Sequence, residues 1–335
     1  MTDPLHRPVA LLVMEERRRD DVYPREVVRE IEALTCSRPP LTREALARDP
    51  AALAGVEVLL SGWGAPVLDA DLLRHATHLR AVLVAAGSVH PLTTPGFWAR
   101  EIPIVSAAAA NAVPVAEFTL AQILLGLKQT HRLSRELRER RAYPADPRVA
   151  GAYRSRVGLF GLGEIGRLVA AHLRNFEVEV VATDPVADVA EAADLDMRLV
   201  ELTELFDTCA VVSLHAPLLP ETAGVVNGDL VARLGPGATL INTARGAVVD
   251  EPSAVAVLRA RPDLTAVLDV TWPEPPSADS PFYSLPNVVL TPHLAGALGA
   301  ERARLGELVL RELRRLVLGL PLHHAVAPAR AHLRA

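Results

Sequence analysis

The sequence predicts an α/β protein built on parallel sheets, and three observations carry this. Short apolar runs alternate with amphipathic stretches along residues 1–104. The alternation recurs from 156 to 293, where the strand candidates are apolar along their whole length, as in a sheet buried on both faces. The chain has 335 residues, half of them hydrophobic and 22% charged, and at ~150 residues per domain that is slightly more than two globular domains.

The first strand is 9–14, closed by Glu15, Glu16 and Arg17. Asp3 and His6 precede it, and the run is too short for a secretory leader. Residues 56–61 and 81–85 are the next strands, with amphipathic helices at 24–34 and 69–76 between them. The longest helical signal is 114–141. Pro114 suits its first turn, Glu117 its positive end, and Leu120, Ile123, Leu124 and Leu127 form its apolar stripe. Residues 132–141 mix Arg and Glu and read as a solvated face. Residues 142–155, with Pro144 and Pro147, read as a surface crossing. Six strands follow, at 156–160, 179–183, 211–215, 239–243, 265–270 and 288–291. A helix at 299–318, carrying Leu305, Leu308, Val309, Leu313 and Leu316, comes after the second sheet and can pack back on the first.

Composition excludes several classes. A net charge of −5 lacks the basic excess of a nucleic-acid partner. No uninterrupted apolar run reaches 18 residues, so no membrane span is expected. Cys36 and Cys209 are too few and too far apart for a disulfide framework or a zinc site, and each reads as a free buried thiol in a reducing cytoplasm. No metal is expected. The length leaves no room for a C-terminal regulatory domain, so simple control by an amino acid is not expected.

Three motifs carry chemistry. Gly161-Leu162-Gly163-Glu164-Ile165-Gly166 follows a strand and opens a helix. Gly161 permits the tight turn, Gly163 lets the backbone approach a pyrophosphate, and Gly166 lets helix and strand pack closely. The phosphates would sit at the helix N-terminus. Asp184 ends the next strand, 18 residues on, where a carboxylate binds adenosine ribose hydroxyls and repels a 2′-phosphate. Pro185 and Val186 offer no cation, which favours NAD over NADP. The same Asp184 would also suit an Asp-Pro turn. The second motif, Thr239 to Gly246, ends a buried strand in polar residues and then Arg245, a planar fork suited to a carboxylate. Arg245 could instead pair with Asp250 at the surface. In the third, Asp269 and Glu274 follow one strand and Thr291-Pro292-His293 another. A Glu 19 residues before a His can hold the imidazole and favour its cation. A lone loop His is more often structural, but Arg, Glu and His after three strands of one nucleotide-binding sheet point to a site.

These residues resemble the D-isomer-specific 2-hydroxyacid dehydrogenase family. The resemblance rests on 161–166, on Val212-Ser213-Leu214-His215-Ala216-Pro217-Leu218, on 242–246, on 269–275 and on 291–296, in the family's order and spacing. It implies a Rossmann-type doubly wound parallel sheet, residues 105–296, inserted into a smaller flavodoxin-like substrate domain, residues 1–104 and 297–335. It implies Arg245, Glu274 and His293 as the catalytic set. It implies NAD contacts at Gly161, Gly163, Glu164, Ile165, Gly166, Asp184, Ala216, Pro217, Thr243, Ala244, Asp269 and Gly296, with Asp269 holding the nicotinamide amide. Ala86, Gly87 and Ser88, with Arg245, fall where the family binds the substrate carboxylate. Two features depart from the pattern. The substrate loop reads Ala86-Gly87-Ser88-Val89-His90-Pro91 where Gly-x-Gly-x-Asp is common, and Cys209-Ala210 stands where Ser-Asp is usual. The implied activity is hydride transfer between NAD(H) and a small 2-oxo or 2-hydroxy acid, in a cytoplasmic homodimer joined through helix 114–141. An NADH-sensing binding protein on the same fold stays open, as does a dehydrogenase of another small anion such as phosphite. Glu274 speaks against formate, whose branch carries Gln there.

Overall fold

A computed structural model describes residues 6–144 and 149–333. The chain divides into two compact units, Met1–Asn111 with Ala297–Ala335, and Ala112–Gly296. Each holds one parallel sheet covered by helices on both faces.

The first unit contains strands β1 (Val9–Val13), β2 (Cys36–Ser37), β3 (Val58–Ser61), β4 (Ala81–Val84) and β5 (Ile104–Ser106), in the order β2-β1-β3-β4-β5. This is the flavodoxin-like order. The central strands are buried from end to end, as their unbroken apolar sequence requires. One face packs on helices Arg25–Leu34 and Ala303–Val317 through Val27, Ile31, Leu305 and Val309, and the other on Leu46, Leu53, Leu73 and Phe97. Helix Ala303–Val317 is preceded by a 3-10 turn, Gly299–Arg302. Two strands that the pattern did not give, β2 and β5, are only two and three residues long, too short to register as a period.

The second unit contains β6 (Arg156–Phe160), β7 (Glu179–Thr183), β8 (Met197–Leu199), β9 (Val211–Leu214), β10 (Thr239–Asn242), β11 (Thr265–Leu268) and β12 (Val288–Leu290). Their order is β12-β11-β10-β9-β6-β7-β8, all parallel. The chain runs outward from β6 to β8 and returns to place β9 beside β6. That reversal makes a switch point, the place where open α/β sheets bind ligands at the carboxyl ends of their strands. The pattern missed β8, a three-residue edge strand with an exposed centre.

The long helix is not the one the sequence suggests. It starts at Ala108, where Ser106 Oγ accepts from the Ala108 N–H, and Pro114 lies inside it. Four consecutive alanines, 107–110, favour this earlier start. It ends at Leu127, Gln129 turns left-handed at φ 47°, and a second helix covers Thr130–Arg140. This second helix has no buried residue and is exposed from Leu137 on, as a solvated face, while its first half is partly covered. Arg132 pairs with Glu136 in a largely buried contact, and Arg135 donates to the carbonyls of Pro262 and Pro286. Helix Ala108–Leu127 is long and apolar enough to cross a membrane by composition, yet Ala116, Ile123 and Leu127 are core residues of the second unit. Pro144 is described, whereas Pro147 of the expected crossing lies outside the described residues, as does Asp3. Cys209 is buried as expected, but Cys36 is exposed because β2 is an edge strand.

Candidate active site

The loops of interest in the second unit follow the carboxyl ends of its strands, so the fold itself collects them on one edge. At the switch point the loop after β6 meets the loop after β9. Gly161 has φ +100°, and a Cβ there would lie 2.6 Å from the Ala216 nitrogen. A Cβ on Gly166 would lie 2.2 Å from the Gly161 carbonyl oxygen. Only glycine fits either position. By contrast, a Cβ on Gly163 would meet nothing within 4 Å. The turn is therefore closed behind and open in front, as a backbone cradle for a diphosphate requires. Gly163 caps helix Glu164–Leu173, whose first turn contains Glu164 and Ile165.

Asp184 follows β7 directly. Its Oδ2 accepts from the Leu162 N–H at 2.7 Å and its Oδ1 from the Val186 N–H at 2.9 Å. The Asp-Pro turn is thus real, and the carboxylate also ties the glycine loop to the second strand. Each oxygen keeps further acceptor capacity, and Val186 is exposed with no cation in its place.

After β10, Asn242 shapes the turn that holds Arg245. Its Oδ1 accepts from the Ala244 N–H and its Nδ2 donates to the Arg245 carbonyl, both at 3.0 Å. Thr243 is buried, with its hydroxyl 3.0 Å from that of Thr119. Arg245 Nη1 donates to the Ala244 carbonyl at 2.6 Å, and among the described residues no carboxylate lies within ion-pair distance of it. The alternative pairing with Asp250 does not form: Asp250 accepts from Ser253 instead. Burial lowers the Arg245 pKa from its ordinary value, opposed by the Glu274 carboxylate. Arg245 is thus a partly buried cation with its fork unmatched.

After β11 and β12, Glu274 and His293 meet. His293 Nδ1 lies 2.5 Å from Glu274 Oε1, with both side chains partly exposed. His293 sits at φ 51°, a sparsely populated conformation for a residue with a side chain. Its N–H is held by the carbonyls of Asp269 and Thr291. Asp269, 2% exposed, takes the Thr291 hydroxyl and the Leu294 N–H on Oδ1, and the Ala295 N–H on Oδ2. Asp269 thus anchors the His293 loop, which ends at Gly296, a task that the motif alone did not reveal.

In the first unit, loop 86–88 follows β4. Ser106 Oγ lies within bonding distance of the Ala86 and Gly87 carbonyls, at 3.2 and 2.6 Å. The Gly87 and Ser88 N–H groups take no partner among the described residues.

Sequence reasoning missed two side chains at this edge of the second sheet. His215 is buried after β9 with neither ring nitrogen hydrogen-bonded among the described residues, and burial pushes its pKa down to about 4. Glu251 accepts the Trp272 N–H at 2.6 Å. Its signal in the sequence was only an acidic residue at a helix start, which any helix can carry.

Fold and site define a dinucleotide-binding α/β protein with a carboxylate–imidazole pair and an unmatched guanidinium on one sheet edge. Residues 120–295 match the family model for the D-isomer specific 2-hydroxyacid dehydrogenase, NAD binding domain. The chain belongs to that family. It is 33% identical over 255 residues to D-3-phosphoglycerate dehydrogenase of Mycobacterium bovis, covering 76% of this chain and 48% of that protein. It is 32% identical over 261 residues to (S)-sulfolactate dehydrogenase of Chromohalobacter salexigens, covering 74% of this chain and 81% of the relative. A D-isomer specific 2-hydroxyacid dehydrogenase from Xanthobacter autotrophicus, solved with NADPH and MES, superposes with a TM-score of 0.76 at 26% identity, over 97% of this chain and 99% of that one. The chain spans about half the length of the phosphoglycerate dehydrogenases that it matches.

Proposed function

We propose that this chain is an NAD-dependent D-2-hydroxyacid dehydrogenase, with Ala112–Gly296 as its NAD-binding domain and Met1–Asn111 with Ala297–Ala335 as its substrate domain. The observation that carries the reading is the 2.5 Å contact of His293 with Glu274, on an edge that also holds an arginine without a carboxylate. Bound NAD supplies the hydride acceptor, and NADH the hydride donor. The glycine loop, with Gly161, Gly163 and Gly166, would hold the diphosphate together with Glu164 and Ile165. Asp184 would take the adenosine ribose. Ala216, Pro217, Thr243, Ala244, Asp269 and Gly296 complete the cofactor contacts.

Arg245 binds the substrate carboxylate through its fork, and in the other unit loop 86–88, with the Gly87 and Ser88 N–H groups unbonded among the described residues, is suited to binding an acid. His293, oriented by Glu274 through Nδ1, moves a proton at the substrate's C2 oxygen through Nε2. Glu274 stabilises the imidazolium while that proton is held. The protein acts as a homodimer through the segment 114–141, in the cytoplasm, where its two free thiols stay reduced.

The deciding experiment is a panel of 2-oxo acids and phosphite, assayed with NADH or NAD and with NADPH or NADP side by side. Turnover of a 2-oxo acid with NADH is expected. Tight NADH binding without turnover on the whole panel would turn the reading toward an NADH-sensing binding protein, and oxidation of phosphite alone would change the substrate.

A further inference from the structure

The segment 245–251 leaves β10 with Arg245, makes the 3-10 turn Gly246–Val248 and enters helix Glu251–Ala260. It touches the loop after β11 at both of its ends. At the near end, a Cβ on Gly246 would lie 2.0 Å from the Thr271 carbonyl carbon, so the two backbones are in direct contact. At the far end, Glu251 Oε1 accepts the Trp272 N–H at 2.6 Å. Thr271 Oγ1 then donates to the Pro273 carbonyl, which fixes the turn leading into Glu274.

The Trp272 loop has few other ways to be held. It reads Trp272-Pro273-Glu274-Pro275, so two of its four residues have no N–H to donate. The Trp272 side chain is 67% exposed and packs little. The Glu251 carboxylate is partly buried, and burial raises its pKa against the lowering effect of the Trp272 N–H. A partly buried acceptor with one backbone donor at 2.6 Å is a geometric tie between the two loops.

We propose that Glu251 is a positioning residue for the reaction: through the Trp272 N–H it fixes the loop of Glu274 against the loop of Arg245. The group that orients the imidazole and the group that grips the carboxylate are thereby set by one side chain that touches neither substrate nor cofactor. This rests on the dehydrogenase reading for its consequence, but the tie itself can be read without turnover.

The test compares Glu251→Ala with Glu251→Gln in the full chain. Gln keeps a carbonyl oxygen for the Trp272 N–H and removes the charge, whereas Ala removes the acceptor. In Glu251→Ala the amide of Trp272 should exchange with deuterium faster than in the wild type, and kcat should fall about 10- to 100-fold, with the NADH Kd within about twofold. Glu251→Gln should restore both slow exchange and kcat to within about threefold of wild type. If Glu251→Ala does not fold, Glu251→Asp takes its place, because the shorter side chain keeps the charge but cannot reach the amide, and it should behave as Ala. Wild-type exchange in Glu251→Ala overturns the proposal. So does a Gln variant as impaired as Ala, since the charge and not the bond would then be what matters. If the wild-type protein turns over no 2-oxo acid, the dehydrogenase reading fails, while the exchange contrast still decides whether Glu251 holds the loop.

Discussion

His293 and Glu274 are joined by a 2.5 Å contact between Nδ1 and Oε1, although they come from loops after two different strands. The contact gives the imidazole an orientation and leaves Nε2 as the nitrogen that can exchange a proton. General acid–base help of this kind is worth about 10²–10⁴-fold. His293→Ala should therefore lower kcat by about that factor, with NADH affinity by fluorescence titration unchanged. Near-full turnover in the variant would remove His293 from the mechanism.

Arg245 tests a different interaction. Its fork is unmatched among the described residues and burial already disfavours its charge, so a carboxylate ligand would satisfy it. Arg245→Lys keeps a cation but replaces the fork with a point charge. Loss of one charged hydrogen bond costs about 1.5–3 kcal/mol, so kcat/KM for the 2-oxo acid should fall about 10- to 100-fold. Steady-state kinetics on the best acid of the panel gives the answer. A change of less than about twofold would mean that the bidentate grip is not made.

The second sheet was legible because its strands are apolar along their whole length and its glycine turn has a required spacing. The loops after β10, β11 and β12 could be placed at one edge from topology alone. What stayed hidden was of two kinds. The strands Cys36–Ser37, Ile104–Ser106 and Met197–Leu199 are too short to show a period, and they exist because neighbouring strands pair with them. The helix start at Ala108 was hidden because Pro114 is a strong first-turn signal, while an alanine run extends the helix past it. At the site, Arg245, Glu274 and His293 could be picked out by residue type. Asp269 was picked out as a cofactor contact, but its hold on the His293 loop, like that of Glu251 on the Trp272 loop, runs through backbone N–H groups and leaves no trace in the sequence.

Asp184 makes cofactor choice testable. Its carboxylate stands at the end of β7 with Pro185 and exposed Val186, neither of them a cation, directly after it, so a 2′-phosphate would meet a like charge. Asp184→Asn removes the charge and keeps an acceptor for the Leu162 N–H. The ratio of kcat/KM with NADPH to that with NADH should rise about tenfold, the equivalent of about 1.4 kcal/mol. A wild-type enzyme that already prefers NADPH would contradict the argument at once.

His215 links the fold to pH. Burial pushes its pKa down to about 4, whereas a histidine of the unfolded chain titrates at about 6.5. Between those values the unfolded state binds a proton that the folded state does not. Stability therefore rises with pH across this window and falls as pH drops from about 6.5 to about 4. The difference corresponds to about 3 kcal/mol lost by the acid end. His215→Gln cannot titrate, so it should lose about 3 kcal/mol less than the wild type between pH 7 and pH 4 in urea unfolding. The carboxylates titrate in both proteins and cancel in the comparison. If the two proteins lose stability in parallel, the folded protein accepts a proton at His215, and the imidazole has a partner or a path to water.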